Sequence, residues 1–534
     1  MGSSALPTGA SFRWKMVPAF LLVGAGDWLF YQRQFYGGYF GVFALGLLGA
    51  LVAGRPGMWR DRRAWVAMAA AALFALALVH DASLLAWALF WVAASMAALI
   101  PATARFDDGW RWFQRLVWQW VRAPVGPLVD MKRWLKVRAA RRSGRWNLRA
   151  ALPVLALPLF GSMVILGLFS AANPLFERLL SSFLLPELSP ALVVRALIWG
   201  VLFVMVWSLL RPRPACRLLP TFDGRGDIDL PGVSVASVRL SLILFNLIFA
   251  LQNLLDIAYL WGLAPMPEGM TMADYAHRGA YPLIATALLA ALFVLVTLRP
   301  GSVTARTAAI RRLVMLWIAQ NIFLVASSML RTLDYIEAYS LTRLRIAALA
   351  WMLLVAFGLA AICWRLLRDR SAAWLINANL AMALLMLAIA SFVDLGAVAA
   401  HWNVRHAREA GGTGVPLDLC YLSELGDSAL LPLIALEQRG DLRPDFRDRV
   451  QAVRLRLHGA LAEEQRKGWT LVGQSRLEQA RLLLAQRTPV APRPGARRCN
   501  AMLIPPPSQP APPPRPAQPV DPKAVAALTG EIGK

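Results

Sequence analysis

Eleven apolar stretches alternate with polar, arginine-rich connections along the chain as far as residue 400. An apolar helix of about 20 residues is long enough to cross the hydrocarbon core of a bilayer. The pattern therefore predicts an all-α fold, a polytopic membrane helix bundle of about eleven transmembrane helices, followed by a small helical C-terminal region. The predicted helices lie near residues 16–31, 37–54, 64–80, 84–102, 150–169, 191–210, 240–260, 282–298, 313–330, 346–364 and 374–400.

The basic residues fall almost wholly on alternate connections. With the amino terminus inside, the inside segments hold 30 lysines and arginines, and the outside connections hold six. Cytoplasmic loops carry such an excess of basic residues, so we expect the amino terminus in the cytoplasm. Eleven crossings then place residues 401–534 on the outer side. One helix more or fewer would return this tail to the cytoplasm.

Composition divides the chain into five regions. Residues 1–102 carry predicted helices one to four, and residues 103–149 form a basic, Trp- and Arg-rich cytoplasmic segment at the membrane interface. Residues 150–400 form the main transmembrane domain with helices five to eleven. Residues 401–487 have a 3.6-residue apolar period and predict a small helical extramembrane region. Residues 488–534 are dominated by proline, which predicts a disordered tail.

Within the basic segment, residues 110–122 predict an amphipathic helix at the cytoplasmic surface of the membrane. Aromatic and apolar side chains recur at helical spacing on one face, and arginines occupy the other face. Such a helix places its tryptophans among the headgroups and its arginines toward anionic lipid. Docking of a cytoplasmic protein is the alternative. The predicted anchor comprises Trp110, Arg111, Phe113, Arg115 and Trp120.

The overall charge does not alter this interpretation. The chain is 58% apolar and 16% charged, and its formal net charge is +25. Its basic residues lie between apolar spans rather than on one folded face, so we expect phospholipid and no nucleic acid as the partner. Phosphate-binding loops, dinucleotide-binding motifs and nucleophile motifs are absent from the sequence.

Several short runs in the second half of the chain carry a resemblance. They are Tyr259–Gly262, Tyr275–Leu283, Leu316–Asn321, Asp334–Tyr339 and Leu341–Arg345. These runs resemble a family of bacterial multi-pass membrane proteins described as domain of unknown function 4173, with its 4153 relatives. The similar block covers roughly residues 150–405, and residues 417–436 are similar to the segment C-terminal to this block in such proteins. The resemblance implies a bacterial cytoplasmic-membrane protein and brings no established activity.

Charged residues at or beside membrane depth are costly, so each is a candidate functional residue. The predicted topology gathers several of them on the outer side. Two interpretations stay open. Either Asp256 or Asp394 pairs with Arg343 or Arg345 and locks helices together, or the group lines an outward-facing pocket. The candidate polar cluster comprises Asp256, His277, Arg278, Asp334, Glu337, Arg343, Arg345 and Asp394.

Further polar residues fall inside the predicted spans, among them Asp27, Arg195, Asn246, Gln320 and Asn321. We expect the three amides to form hydrogen bonds between helices, because hydrocarbon offers them no other partner. A polar translocation path is the alternative.

The sequence also contains residue types that can bind a metal or form a disulfide. The histidines of the predicted outer side, with Asp334 or Glu337, have the right ligand types, yet no closely spaced ligand motif occurs, so we predict no metal and no cofactor. Cys420 and Cys499 both fall in the predicted outer tail, where an oxidising periplasm permits a disulfide. Whether they pair stays open.

Two classes of function remain. The first is a structural or regulatory component of the bacterial cell envelope, located in the inner membrane and acting through an envelope protein partner. The alternative is a transporter, or an enzyme that modifies an envelope lipid or glycan, using the outward-facing polar cluster. The absence of a catalytic motif favours the first, so we expect a protein that is not an enzyme.

Overall fold

The computed structural model describes residues 8–103, 106–141, 190–215, 217–221, 234–261, 302–486 and 491–505, with a few scattered positions between 162 and 293. These residues are almost entirely helical or in short connections, and their one β-bridge joins Arg497 to Leu503. The predicted all-α class is therefore confirmed for the part of the chain that the structure describes.

The described helices fall into three groups along the chain. The N-terminal group is α1 Thr8–Gly26, α2 Tyr39–Gly54, α3 Arg62–His80, α4 Leu84–Leu99, α5 Gly109–Arg122, α6 Gly126–Arg141 and α7 Pro190–Leu210. The middle group is α8 Val235–Tyr259, α9 Ala308–Tyr339, α10 Arg343–Arg368 and α11 Ala372–Ala390. The third group, which we call the tail domain together with residues 491–505, is α12 Leu395–His406, α13 Leu419–Glu424, α14 Leu430–Glu437, α15 Pro444–Lys467 and α16 Leu471–Ala485.

Seven of the described helices are long and apolar enough to cross a membrane, namely α3, α4, α7, α8, α9, α10 and α11. The shorter α2 is also apolar, and α1 continues into a π-helical turn at Asp27–Gln32. The predicted spans near 150–169 and 282–298 lie mostly outside the described residues. The length and composition of these helices indicate a membrane protein. The described residues contain fewer candidate membrane helices than the eleven predicted.

Helix α4, the most deeply buried of the apolar helices, packs chiefly against α3 and also contacts α2, α5 and α7. Alanines at fully buried positions of α3 and α4 let the two helices approach closely, as small residues do in membranes. At Gly41 in α2, an added Cβ would lie 2.5 Å from the backbone nitrogen of Val79 in α3. This contact explains why a glycine occupies that position.

The middle helices pack in chain order, α8 against α9, α9 against α10, and α10 against α11. Their shared core contains Leu242, Ile310 and Trp317. Helix α11 also contacts α4 and α5, and Asn377 Oδ1 accepts a hydrogen bond of 2.7 Å from the backbone of Gly109. The first two groups of helices therefore touch along this face.

The tail domain has its own apolar core. The 3.6-residue period of α15 places Val450, Val453, Leu457 and Leu461 in it, and all four are buried. A buried ion pair, in which Arg454 donates to Glu437 at 2.9 Å, joins α15 to α14. The predicted small helical region is therefore present, with an interior of its own.

The structure corrects two predicted boundaries. The predicted span 374–400 is interrupted after α11, and α12 begins a separate helix of the tail domain at Leu395. Residues 491–505 belong to the region predicted to be disordered, but Arg493 and Arg497 form ion pairs with Asp448 of α15, and a disulfide joins Cys499 to Cys420 of α13. Ion pairs and a crosslink supply the order that the proline-rich composition could not indicate. Residues 506–534 lie outside the described residues.

The connections between helices gather at two opposite ends of the bundle. The tail domain contacts one end, where Gly38 donates to the Trp469 carbonyl at 2.6 Å and Leu341 donates to Asn403 Oδ1 at 2.7 Å. We call this the tail end. The described parts of the arginine-rich connections lie at the other end with helices α5 and α6, and we call it the basic end. There Gln114 and Leu219 exchange hydrogen bonds of 2.7 and 3.1 Å. The alternation of arginines in the sequence thus corresponds to two physical ends.

Candidate functional site

A buried ion pair joins α8 to α9 near the tail end. Asp256 is 0% exposed and Arg331 is 4% exposed, and the Arg331 guanidinium donates to Asp256 Oδ1. Gln252 donates to the same oxygen at 3.0 Å. Because hydrocarbon cannot solvate a charge, this arrangement lets each ion replace the water lost by the other.

A row of side-chain amides continues from this pair toward the basic end. Gln320 donates to Asn246 Oδ1 at 3.2 Å, Asn246 donates to the Leu313 carbonyl at 3.1 Å, and Asn253 donates to the Gln320 carbonyl at 3.3 Å. All three bonds cross between α8 and α9, as predicted for Asn246 and Gln320. Asn321 differs, because its amide donates within α9 to the Trp317 carbonyl at 2.8 Å.

One of the two interpretations of the polar cluster paired Asp256 or Asp394 with Arg343 or Arg345, but these arginines have other partners. Arg343 donates to the Leu425 carbonyl at 3.3 Å and to Ser428 Oγ at 3.4 Å in the tail domain. Arg345 donates to the Tyr339 carbonyl at 2.7 Å and lies over the Tyr335 ring at 4.4 Å from its centroid. The two side chains therefore close the turn between α9 and α10 and hold the tail domain.

Asp394 lies at the centre of the contact between the tail domain and the bundle. It caps α12 by accepting from the backbone of Gly396 at 2.8 Å and Ala397 at 3.0 Å. It also accepts from Ser428 Oγ at 2.7 Å and from the guanidinium of Arg476. Burial by itself would raise the pKa of Asp394, but these hydrogen bonds favour the carboxylate and hold the pKa below its ordinary value.

Other carboxyl groups surround Arg476, which donates to Asp427 at 2.6 Å in addition to Asp394. Burial raises the pKa of Asp81, and the charges of Asp394 and Asp427 raise it further. Burial likewise raises the pKa of Glu464, with added repulsion from Asp427 and Asp81. Within the described residues, no group of three or more potential ligands is placed to hold a metal ion.

The remaining members of the predicted cluster do not join these sites. Asp334 is half-buried and Glu337 exposed at the end of α9. His277 and Arg278 lie outside the described residues. The structure therefore separates the described members of the predicted cluster. Asp256 lies in a buried ion pair between two helices, Arg343 and Arg345 lie at the turn between α9 and α10, and Asp394 lies at the contact with the tail domain.

A second intramembrane pair joins α1 to α7. Asp27 accepts from Arg195 Nε and from Trp199 Nε1, both at 2.8 Å, and Gln32 donates to its other oxygen at 2.8 Å. Arg195 also lies over the rings of Tyr31 and Trp199. Asp27 and Arg195 were singled out from the sequence, and the structure brings them together.

Helix α5 forms where the amphipathic anchor was predicted, but some of the predicted anchor residues contact other parts of the protein. Trp110 and Phe113 are exposed and their rings stack at 5.8 Å. Trp120 instead packs edge-on against Trp91 of α4 at 5.6 Å. Arg115 is ion-paired with Asp107, and Arg111 lies 3.5 Å from that carboxylate. The apolar face is thus available to the bilayer, whereas these two arginines are engaged within the segment.

Sequence reasoning overlooked a set of residues at the basic end. Asp130, the one acidic residue of α6, is buried, and it accepts from Arg213 at 2.8 Å and from Trp207 Nε1 at 3.1 Å. Gln119 of α5 is also buried. The sequence offered one signal, the single carboxylate Asp130 in a basic helix. The apolar periodicity could not show which residues contact it.

Comparison with known proteins gives one match. The family model described as domain of unknown function (DUF4153) matches residues 67–436, which is more than half of the chain. The match names the 4153 group and not the 4173 group of the resemblance. No curated protein and no solved structure matches the chain.

Proposed function

We propose that this chain, which belongs to the DUF4153 family of domains of unknown function, holds its tail domain in a fixed position at the periplasmic face of the bacterial inner membrane for an envelope protein partner. One observation carries the proposal. The tail domain is bound to three separate connections of the bundle, through Gly38, through Leu341 and through Asp394 with its partner Arg476. Attachment at three points restrains rotation as well as separation.

The orientation is supported by two independent features. The arginine-rich connections gather at the end opposite the tail domain, and cytoplasmic loops carry such an excess. The tail domain also contains the Cys420–Cys499 disulfide, with a Cα–Cα distance of 4.8 Å. Disulfides persist in oxidising compartments such as the bacterial periplasm, so both features favour an outer tail.

The orientation is tested by fusing a periplasm-active reporter after residue 505. Activity of the reporter, together with oxidised Cys420 and Cys499 in protein taken directly from cells, is the expected result. A fusion active only in the cytoplasm, with both thiols reduced, would contradict the assignment.

The partner is tested by placing a photo-crosslinking residue at Leu482, an exposed position on α16. We expect a discrete protein adduct in cells, because a presented domain needs an accessible face. The matched control is Leu247, an equally exposed apolar position on membrane helix α8, which should label lipid alone. In an Arg476→Gln variant, which loosens the docking, the Leu482 adduct should weaken. An equally strong Leu482 adduct in wild type and in the Arg476→Gln variant would contradict the proposal that the tail domain must be held in a fixed position.

The alternative function is a transporter or an enzyme that modifies an envelope lipid or glycan. The row of side-chain amides between α8 and α9 supports this alternative. Within the described residues, the side-chain oxygens of Asn253, Gln320 and Asn321 accept no hydrogen bond. A paired variant, Asp256→Asn with Arg331→Met, separates the two functions. Loss of the cellular phenotype with intact folding and an unchanged Leu482 adduct would favour a site inside the bundle.

A further inference from the structure

A cavity of about 330 Å³ lies at the basic end, between the start of α1, helix α6 and the end of α7. Small-molecule sites commonly span about 300–1,000 Å³, so this cavity has room for a ligand larger than water. We call it the basic pocket. The residues that define it are Phe12, Asp130, Arg133, Trp134, Lys136 and Arg211.

The charges of the basic pocket do not balance. Its one carboxylate, Asp130, is already bound by Arg213 at 2.8 Å and lies 3.9 Å from Arg211. Arg133 and Lys136 lie exposed at its edge and form no ion pair with the described residues. The pocket therefore keeps an excess of positive charge, which attracts an anion.

Two more cations belong to the same charged region, since Lys15 interacts electrostatically with Asp130 and Arg211 of the pocket and with Arg55. Lys15 donates to the Leu210 carbonyl at 3.0 Å, and Arg55 donates to the Ala98 carbonyl. Carbonyl groups bind these side chains without cancelling their charge. They add to the positive potential that a bound anion would experience.

A buried amide points to a ligand independently of the charges. Gln119 is 2% exposed, and neither its Nε2 nor its Oε1 has a hydrogen-bond partner among the described residues. It lines a cavity of about 10 Å³, room for about one water molecule, which shares Arg211 with the basic pocket and also contains Arg122 and Arg213. Since an unpaired buried amide costs free energy, a water molecule that bridges Gln119 to a ligand in the basic pocket would relieve the cost.

We propose that the basic pocket binds a phosphate group, and that this phosphate belongs to the headgroup of an anionic lipid. Arginine and lysine donors in this number match the oxygens of a phosphate. The stacked rings of Phe12 and Trp134, 5.7 Å apart, give the pocket an apolar wall suited to the glycerol and acyl region. The inference concerns the end opposite the tail domain and does not rest on the function proposed above.

The test uses the full-length protein in detergent, titrated with phosphatidylglycerol or phosphatidylcholine and followed by native mass spectrometry. An Arg133→Gln/Lys136→Gln variant should bind phosphatidylglycerol about tenfold more weakly, because charged hydrogen bonds are lost, and should bind phosphatidylcholine unchanged. The control, Arg60→Gln/Arg62→Gln, removes two exposed charges at the same end outside the pocket. Equal weakening in both variants would show surface attraction only and overturn the site.

A second arm separates a lipid headgroup from free phosphate. In lipid-free detergent, glycerol phosphate should protect the wild-type protein against heating more than inorganic phosphate does, and phosphatidylglycerol should abolish that protection. Protection by inorganic phosphate that persists in phosphatidylglycerol would overturn the lipid assignment.

A Gln119→Leu variant keeps the proposal testable if the charge variants fold poorly. Leucine removes the unpaired amide from a buried place, so lipid-free protein should be at least as heat-stable as wild type. Weaker phosphatidylglycerol binding by this stable variant is the expected result. Unchanged binding would show that Gln119 does not reach the ligand and would overturn the extension of the site to the smaller cavity.

Discussion

Two of the aspartate–arginine pairs near the tail end, Asp256 with Arg331 and Asp394 with Arg476, differ in their surroundings. In the pair of Asp256 with Arg331, the side chains are 0% and 5% exposed, and both belong to membrane helices. In the pair of Asp394 with Arg476, they are 21% and 10% exposed, and Asp427, Ser428 and the start of α12 add further polar partners. The first pair holds two helices where water cannot replace either ion. The second pair holds the tail domain through a group of partly exposed polar and ionisable side chains. Because some of these side chains titrate, the strength of docking depends on pH.

The largest effect should follow from breaking the membrane pair. An Arg331→Ala variant leaves Asp256 charged and buried, which we expect to cost about 3–5 kcal/mol. Thermal unfolding in detergent should show a large fall in the unfolding temperature. The double variant Asp256→Asn/Arg331→Met should recover much of the loss, because no charge is then left buried.

The matched control for that experiment is Arg345→Ala, which removes an arginine bound to carbonyl groups at the end of α9. Its effect should be much smaller. If Arg331→Ala and Arg345→Ala destabilise equally, the buried pair does not have the importance that its burial indicates.

The next largest effect should come from the tail side, on removing the disulfide. The bond joins cysteines 79 residues apart, and opening such a loop costs about 2–4 kcal/mol. In a Cys420→Ser/Cys499→Ser variant, residues 491–505 should detach from the rest of the tail domain, and trypsin should cleave after Arg497 and Arg498. A Cys363→Ser variant, which alters the free cysteine of α10, should resist cleavage as wild type does.

A smaller effect should follow from Asn403→Ala. Asn403 accepts from the Leu341 backbone at 2.7 Å and donates to its carbonyl at 2.9 Å, so the variant leaves two buried backbone groups unpaired, at a cost of about 1–3 kcal/mol. Faster hydrogen exchange at residues 340–342 would show the loss. Asn379→Ala is the control, because Asn379 bonds only within its own helix. Unchanged exchange would mean that this contact does not hold the domain.

The smallest effect should be a pH dependence of docking. The pKa values of Asp81 and Glu464 are raised, first by burial and then by neighbouring carboxylates, so the cost of holding their charged forms in the docked state disappears as the pH falls toward about 4. The pKa of Asp394 is lowered, so its stabilising contribution is lost as the pH falls further. Docking should therefore be strongest near pH 4, as measured by hydrogen exchange around Trp469.

An Asp81→Asn variant sharpens this last comparison. It should bind the tail domain more tightly at neutral pH and flatten the rise toward acid, while leaving the loss at lower pH unchanged. Asp441→Asn, at an exposed position away from Asp394 and Arg476, should leave the pH dependence of docking unchanged. A profile that falls steadily from neutral pH would contradict the assigned roles of Asp81 and Glu464.

Much of the architecture could be predicted from the sequence. Apolar runs located the described membrane helices, although α9 extends nine residues beyond its predicted end and the span predicted for α11 ran ten residues too far. The period of Val450, Val453 and Leu457 identified the buried face of α15. Asp27 and Arg195 were recognised as polar residues of the membrane, although not as partners. The break before Asp394 was missed, because its flanking residues are as apolar as those of a continuous span.

The sequence by itself determined what depends on neighbouring residues: helices, their apolar faces, and the alternation of basic connections that the two ends reproduce. Only the tertiary structure decided which ions meet. Asp256 binds an arginine 75 residues away, and Asp394 binds one 82 residues away. A helical period states which face a residue occupies, but it carries no information about the residue that faces it. The partners of Asp256, Asp394 and Cys420 were therefore fixed by packing between distant segments.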